Sequence, residues 1–156
     1  MTALGLARTL ALAVPVALLA GALGSEHLGG LYPCEMCHWQ RWPHYAAVPL
    51  ALLAIVLRNG GAGTFFLWLS ALAIFVSGAI GVFHAGVEYG FWEGITGCAA
   101  IPANSGDFLA DIASTPIIAC DRPQWTLFGI SLAGFNAIIS IGAAMVIGWL
   151  IRKPIP

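Results

Sequence analysis

The run 64-TFFLWLSALAIFVSGAIGVF-83 decides the fold. It carries no charge over twenty residues, and roughly 20 apolar residues are what an α-helix needs to cross the hydrocarbon core of a bilayer. Three further apolar runs lie at about 9–24, 38–57 and 126–151, the second with its purely apolar part beginning near Trp42. The shorter runs gain their missing turns from polar and aromatic flanks at the interface. The expectation is an all-α integral membrane protein, a bundle of four transmembrane helices forming a single domain over residues 1–156. Composition agrees: 60% of the chain is hydrophobic and 8% charged, with a mean hydropathy of +0.90, well outside the soluble globular range. A net charge of −1 excludes nucleic acid as a partner, because binding a polyanion requires clustered Lys and Arg.

The basic residues orient the bundle. Arg8, Arg58, Arg152 and Lys153 fall before the first run, between the second and third, and after the fourth, which is one common side of a four-span chain. The positive-inside rule then places both termini and the turn near residues 58–63 in the cytoplasm. The two outer loops, about 25–37 and 84–125, carry all four cysteines. Arg8, the apolar run after it and the small residues Ala20-Gly21-Ala22 also have the pattern of a secretory signal; retention as the first span is expected. Ser77 with Gly81, and Ala144 with Gly148, place small residues four apart, where helices approach closely. In the second outer loop, Phe108, Leu109 and Ile112 lie at helical spacing with Asp107 and Asp111 on another side, the pattern of a short amphipathic turn on the membrane surface.

The chemistry concentrates in 31-LYPCEMCHWQRWPHY-45, where Cys34 and Cys37 stand three apart just before the second run. At a helix start the unpaired amides stabilise a thiolate. Arg41 follows Cys37 by one helical turn and shares its face, so its guanidinium favours the thiolate or binds an electronegative group beside it, beyond any snorkelling to lipid phosphates. Four readings of the motif compete. Cys34-Glu-Met-Cys37-His38 matches the attachment signature of c-type haem, although no obvious sixth ligand follows. The thiols with His38, His44 or His84 form a zinc-type donor set, which an oxidising compartment disfavours. Inert structural disulfides are possible, but a Cys-x-x-Cys bridge closes too small a loop to constrain the unfolded chain much. In the fourth reading both cysteine pairs are redox active and exchange disulfides.

Several features together resemble the bacterial DsbB family: Cys34-Glu-Met-Cys37 followed by Gln40-Arg41, His84-Ala-Gly-Val-Glu88 leading out of the third run, and Cys120-Asp-Arg-Pro-Gln-Trp125 leading into the fourth. The likeness covers nearly the whole chain. It implies an inner-membrane thiol-disulfide oxidoreductase whose cysteine loops face the periplasm. Such an enzyme reoxidises a DsbA-type thioredoxin-fold oxidase and passes the electrons to membrane quinone, ubiquinone or menaquinone. By the same resemblance Cys34, Cys37, Cys98 and Cys120 are catalytic, Cys98 is the sulfur attacked by the partner, and Cys120 meets Cys34 between the loops. Arg41 and His84 are the implied quinone contacts. One departure is Gln40, where well-known members carry an acid before the arginine.

Overall fold

The computed structural model describes residues 2–96 and 120–153. Cys98 and the expected amphipathic turn at 107–112 lie outside them. The described residues form four helices, α1 (Ala3–His27), α2 (Glu35–Val56), α3 (Gly61–Glu88) and α4 (Leu132–Arg152), with a two-stranded antiparallel hairpin, β1 (Thr126–Leu127) and β2 (Ile130–Ser131), directly before α4. Three helix starts are closed by side chains. Thr2 Oγ1 accepts from Gly5 N–H and Ser131 Oγ from Gly134 N–H, each at 3.1 Å, and Cys34 Sγ accepts from Cys37 N–H at 3.3 Å. Each cap satisfies an amide that the helix itself leaves unpaired.

α2 packs chiefly on α3, α3 on α4, and α1 closes the bundle against α2 and α4. One half of the interior is built from small residues, Ala7 and Ala11 of α1, Ala47, Ala51 and Ala54 of α2, Ala71 of α3 and Ala144 of α4, around Leu67, Ile74, Ile147 and Leu150. Without a hydrophobic driving force between helices in lipid, close backbone approach supplies the packing, and alanine and glycine permit it. At Gly78 of α3 a Cβ would lie 2.7 Å from Ile141 Cγ1 of α4, and at Gly81 it would lie 3.0 Å from the Ala133 carbonyl oxygen. Gly78→Val is therefore expected to push α3 off α4 and cost about 1–3 kcal/mol, the usual range for overpacking. Thermal unfolding in detergent checks this, with Gly142→Val, which faces open space, as the neutral control.

Outward, the bundle exposes Leu52, Val56, Phe65, Leu72, Phe75, Ile138, Met145 and Trp149. So large an apolar belt has no place in water and fits a lipid surround. Among the described residues α1, α3 and α4 are long and apolar enough to cross a membrane, with mean hydropathies of 1.9, 2.2 and 1.9, so the chain is a membrane protein. α2 has 22 residues but falls below that composition, because His38, Gln40, Arg41 and His44 crowd its first half. Gln40, Arg41 and His44 turn inward and are buried.

The fourth apolar run divides in a way its composition does not reveal. Its helix begins at Leu132, and residues 126–131 form the hairpin. Phe128 (φ 52°) and Gly129 (φ 78°) both occupy the left-handed region, as a type I′ turn requires. The Tyr89 hydroxyl, at the end of α3, donates to the Gly129 carbonyl and accepts from Ser131 N–H, both at 2.8 Å. The hairpin is thus fastened to the cysteine-bearing end of the bundle.

Candidate active site

Cys34 ends the α1–α2 connection and caps α2, and Cys37 sits in the first turn of that helix. Their sulfurs lie 3.0 Å apart. Cys34 is buried against Met36 and Val87, with Cys37 and Cys120 packed beside it. Hydrogen bonding to Cys37 and burial both hold the Cys34 thiol well above its ordinary pKa. From α3, His84 brings Nε2 to 3.4 Å from Cys34 Sγ. Cys120, from the far loop, completes a group in which the Cys34 and Cys120 sulfurs and a His84 ring nitrogen all lie within 4.8 Å of one another. A small cleft of ≈ 50 Å³ opens beside them, lined among others by Pro33, Cys34, Cys37, His84, Glu88 and Trp125.

Arg41 lies one turn below Cys37 on α2. It is 8% exposed, forms an ion pair with Glu26 of α1, and donates to the Ala22 carbonyl at 3.3 Å. It borders the cleft and also a second, larger cavity of ≈ 180 Å³ between α1, α2 and α4. That cavity is mainly apolar, walled by Leu18, Leu19 and Phe135, with Cys37, Gln40, Arg41, His44 and Asn136 supplying its polar edge. Cys37 and Arg41 thus face both spaces, whereas His84 borders only the cleft.

Behind His84 runs a buried polar chain that sequence reasoning did not assemble. Gln40 Nε2 donates to His84 Nδ1 at 2.7 Å, and Asn136 Nδ2 donates to Gln40 Oε1 at 2.8 Å. Asn136 Oδ1 in turn meets His44 Nε2 and the Ser140 hydroxyl, each at 3.0 Å. The signal available in the sequence is that these polar side chains interrupt otherwise apolar runs, where each unpaired polar group would be costly. Glu26 was likewise missed as the partner of Arg41. His38 is exposed, and His44 points to Asn136 instead of the sulfurs. Of the zinc-type donors considered from sequence, His84 alone joins the thiols, and the Cys34, His84, Cys120 set has the spacing of a candidate metal group.

Two thiols at a helix start and a third delivered from a distant loop make an arrangement suited to sulfur exchange. Comparison with known proteins agrees. The family model described as "Disulfide bond formation protein DsbB" matches residues 5–150. Disulfide bond formation protein B of Verminephrobacter eiseniae is 32% identical over 136 residues, covering 78% of this chain and 71% of that protein. The protein of the same name from Paracidovorax citrulli is 30% identical, covering 96% of this chain and 89% of its own length. An uncharacterized Rickettsia prowazekii protein, RP370, is 25% identical over 90% of this chain and 84% of its own. No solved structure shows significant similarity to the chain. With a family match across nearly its whole length and its thiols gathered at one end of a membrane bundle, the chain belongs to the DsbB family of disulfide bond formation proteins.

Proposed function

We propose that this thiol-disulfide oxidoreductase crosses the inner membrane four times with both termini in the cytoplasm. In this reading it reoxidises a periplasmic DsbA-type dithiol and delivers the electrons to membrane quinone. The observation that carries the reading is the position of Cys37. Its sulfur touches Cys34, which touches the Cys120 region, and the same residue borders the apolar cavity with Arg41. Electrons can therefore enter from the solvent-side loop and leave toward lipid. The proposed orientation rests on Arg8, Arg58, Arg152 and Lys153, which all lie at the end of the bundle opposite the thiols; Arg8 donates to the Arg58 carbonyl at 3.2 Å.

In the proposed cycle a partner thiolate attacks Cys98 of a Cys98–Cys120 disulfide, forming a mixed disulfide and releasing Cys120 as thiolate. Cys120 attacks Cys34 of the Cys34–Cys37 disulfide; the Cys34–Cys120 bond forms and the electron pair of the broken bond stays on Cys37. The partner's second thiol resolves its mixed disulfide and frees Cys98. Attack of Cys98 on Cys120 restores the first pair and releases Cys34, leaving Cys34 and Cys37 with the two electrons taken from the partner.

The cavity fits a quinone head group in kind. It is apolar, it opens between helices, and it carries one buried guanidinium able to donate to an oxygen. A quinone bound there supplies a sink for two electrons and two protons. Arg41 orients an acceptor oxygen, Glu26 holds Arg41, and Cys37 presents its sulfur at the cavity edge. Partners of the DsbA class are strong oxidants, so draining electrons from them needs such a downhill acceptor.

The reading is tested by mixing the purified protein with a reduced DsbA-type oxidase and a soluble quinone and following the quinone absorbance. One quinone reduced per partner disulfide formed is expected. Partner oxidation without quinone reduction, or neither, overturns it. For the orientation, a membrane-impermeant maleimide added to spheroplasts is expected to label the reduced thiols from the periplasmic side; labelling only after lysis would reverse the assignment.

A further inference from the structure

The donor directions in the buried polar chain are fixed by two backbone carbonyls. Asn136 Nδ2 lies 3.1 Å from the Ser77 carbonyl, which can only accept, so that atom is the amide nitrogen. The same nitrogen faces Gln40, so the Gln40 atom opposite it, at 2.8 Å, is oxygen. Gln40 Nε2 is then turned the other way, toward the Met36 carbonyl at 3.3 Å, which again only accepts, and toward His84 Nδ1 at 2.7 Å. A flipped Gln40 would set oxygen against the Met36 carbonyl and nitrogen against nitrogen at Asn136. Nδ1 of His84 therefore accepts, and the ring proton sits on Nε2, the atom 3.4 Å from Cys34 Sγ.

This assignment separates two uses of the Cys34, His84, Cys120 group. A histidine that binds a metal through Nε2 carries its proton on Nδ1 and donates it to a carbonyl or carboxylate. Here Nδ1 receives an amide N–H, and Nε2 presents a proton to sulfur at 3.4 Å, the Glu88 carboxylate oxygen lying farther from it at 3.7 Å; a donor so placed favours a thiolate.

We propose that Gln40 and Asn136 are positioning residues for sulfur exchange. They hold His84 as a neutral Nε2–H donor aimed at Cys34, so that His84 stabilises the charge on Cys34 when attack of Cys98 on Cys120 breaks the Cys34–Cys120 bond and leaves the electron pair on Cys34. The inference rests on the relay described above and gives His84 to the sulfurs instead of the quinone cavity, in keeping with its place in the cleft. It also gives Gln40, the departure from the acid of well-known members, a defined role, since a carboxylate there could not donate to Nδ1.

Nitrogen NMR of the reduced full-length protein with isotope-labelled histidine, the His84 signals identified by their loss in His84→Gln, tests the assignment. A neutral ring with its proton on Nε2 is expected in the wild type, and the nearly isosteric Gln40→Glu is expected to move a proton onto Nδ1. Single-turnover exchange with reduced partner in quinone-free protein is expected to slow about tenfold in Gln40→Leu, as loss of one hydrogen bond to a charged sulfur predicts. A proton on Nδ1 in the wild type, an unchanged ring in Gln40→Glu, unchanged exchange in folded Gln40→Leu, or a one-to-one zinc complex that requires His84 would each overturn the proposal. Should the wild type exchange disulfides with the partner yet reduce no quinone, while the ring state and the slowing in Gln40→Leu are as expected, the quinone step of the proposed function fails and the positioning assignment stands.

Discussion

Cys37→Ala is expected to abolish quinone reduction, by at least about a thousandfold, or roughly 4 kcal/mol in activation free energy, while leaving Cys34 and Cys120 able to join. The geometry sets both halves of this result. Cys37 is the cysteine that touches the sulfur of Cys34 and also edges the apolar cavity, so on the proposed relay its removal cuts the path to lipid. Cys34 remains next to Cys120; its lone thiolate can attack Cys120 of a Cys98–Cys120 disulfide, forming the Cys34–Cys120 bond and releasing Cys98 as thiolate, and without Cys37 nothing resolves that bond from the membrane side. Non-reducing electrophoresis with peptide mapping should therefore find a Cys34–Cys120 disulfide, with Cys98 free, in the oxidised variant before any partner is added. Undiminished quinone reduction would remove Cys37 from the electron path. Loss of activity without that trapped bond would remove Cys120 from it.

Arg41→Met should raise the KM for quinone by about 10–100-fold, the range expected for a hydrogen bond from a charged donor worth about 1.5–3 kcal/mol, with thiol exchange in quinone-free protein within about twofold of wild type. A guanidinium that is 8% exposed needs compensation, and Glu26 and the Ala22 carbonyl provide it from α1. The substitution also strips Glu26 of its partner, although that carboxylate is partly exposed and can be solvated. Glu26→Gln separates the two effects, since it leaves the cation in place and is expected to change KM less than Arg41→Met. Equal losses in thiol exchange and quinone use would assign Arg41 to packing or to the sulfurs. The Glu26 pairing also explains how an arginine is accommodated inside the bundle.

Both variants probe residues that were conspicuous in the chain itself. Cys34, Cys37 and Arg41 share one short segment whose spacing, read on a helix, puts sulfur and guanidinium on one face, and the helix start at Glu35 supplies that geometry. The hairpin before α4 was not legible in the same way. Leu127, Phe128 and Ile130 read as a continuation of an apolar span, and the left-handed conformation of Phe128 runs against its own preference. The Tyr89 hydroxyl, from another helix, helps hold that turn.

The amino-acid sequence by itself determined that this is a helical membrane protein, because run length and the lack of charge are local properties that the bilayer reads directly. It also pointed to the family, through the combined resemblance of the segments 34–41, 84–88 and 120–125, and to Cys34 and Cys37, whose spacing along one helix is local too. Only the tertiary structure decided which polar residues meet. Gln40, His84 and Asn136 come from three different helices, and the direction of each hydrogen bond among them is set by the carbonyls of Met36 and Ser77. Periodicity tells which face of a helix turns inward, but the partner across the interface and the nitrogen that carries a proton follow from how the faces dock, where burial leaves every donor in need of an acceptor.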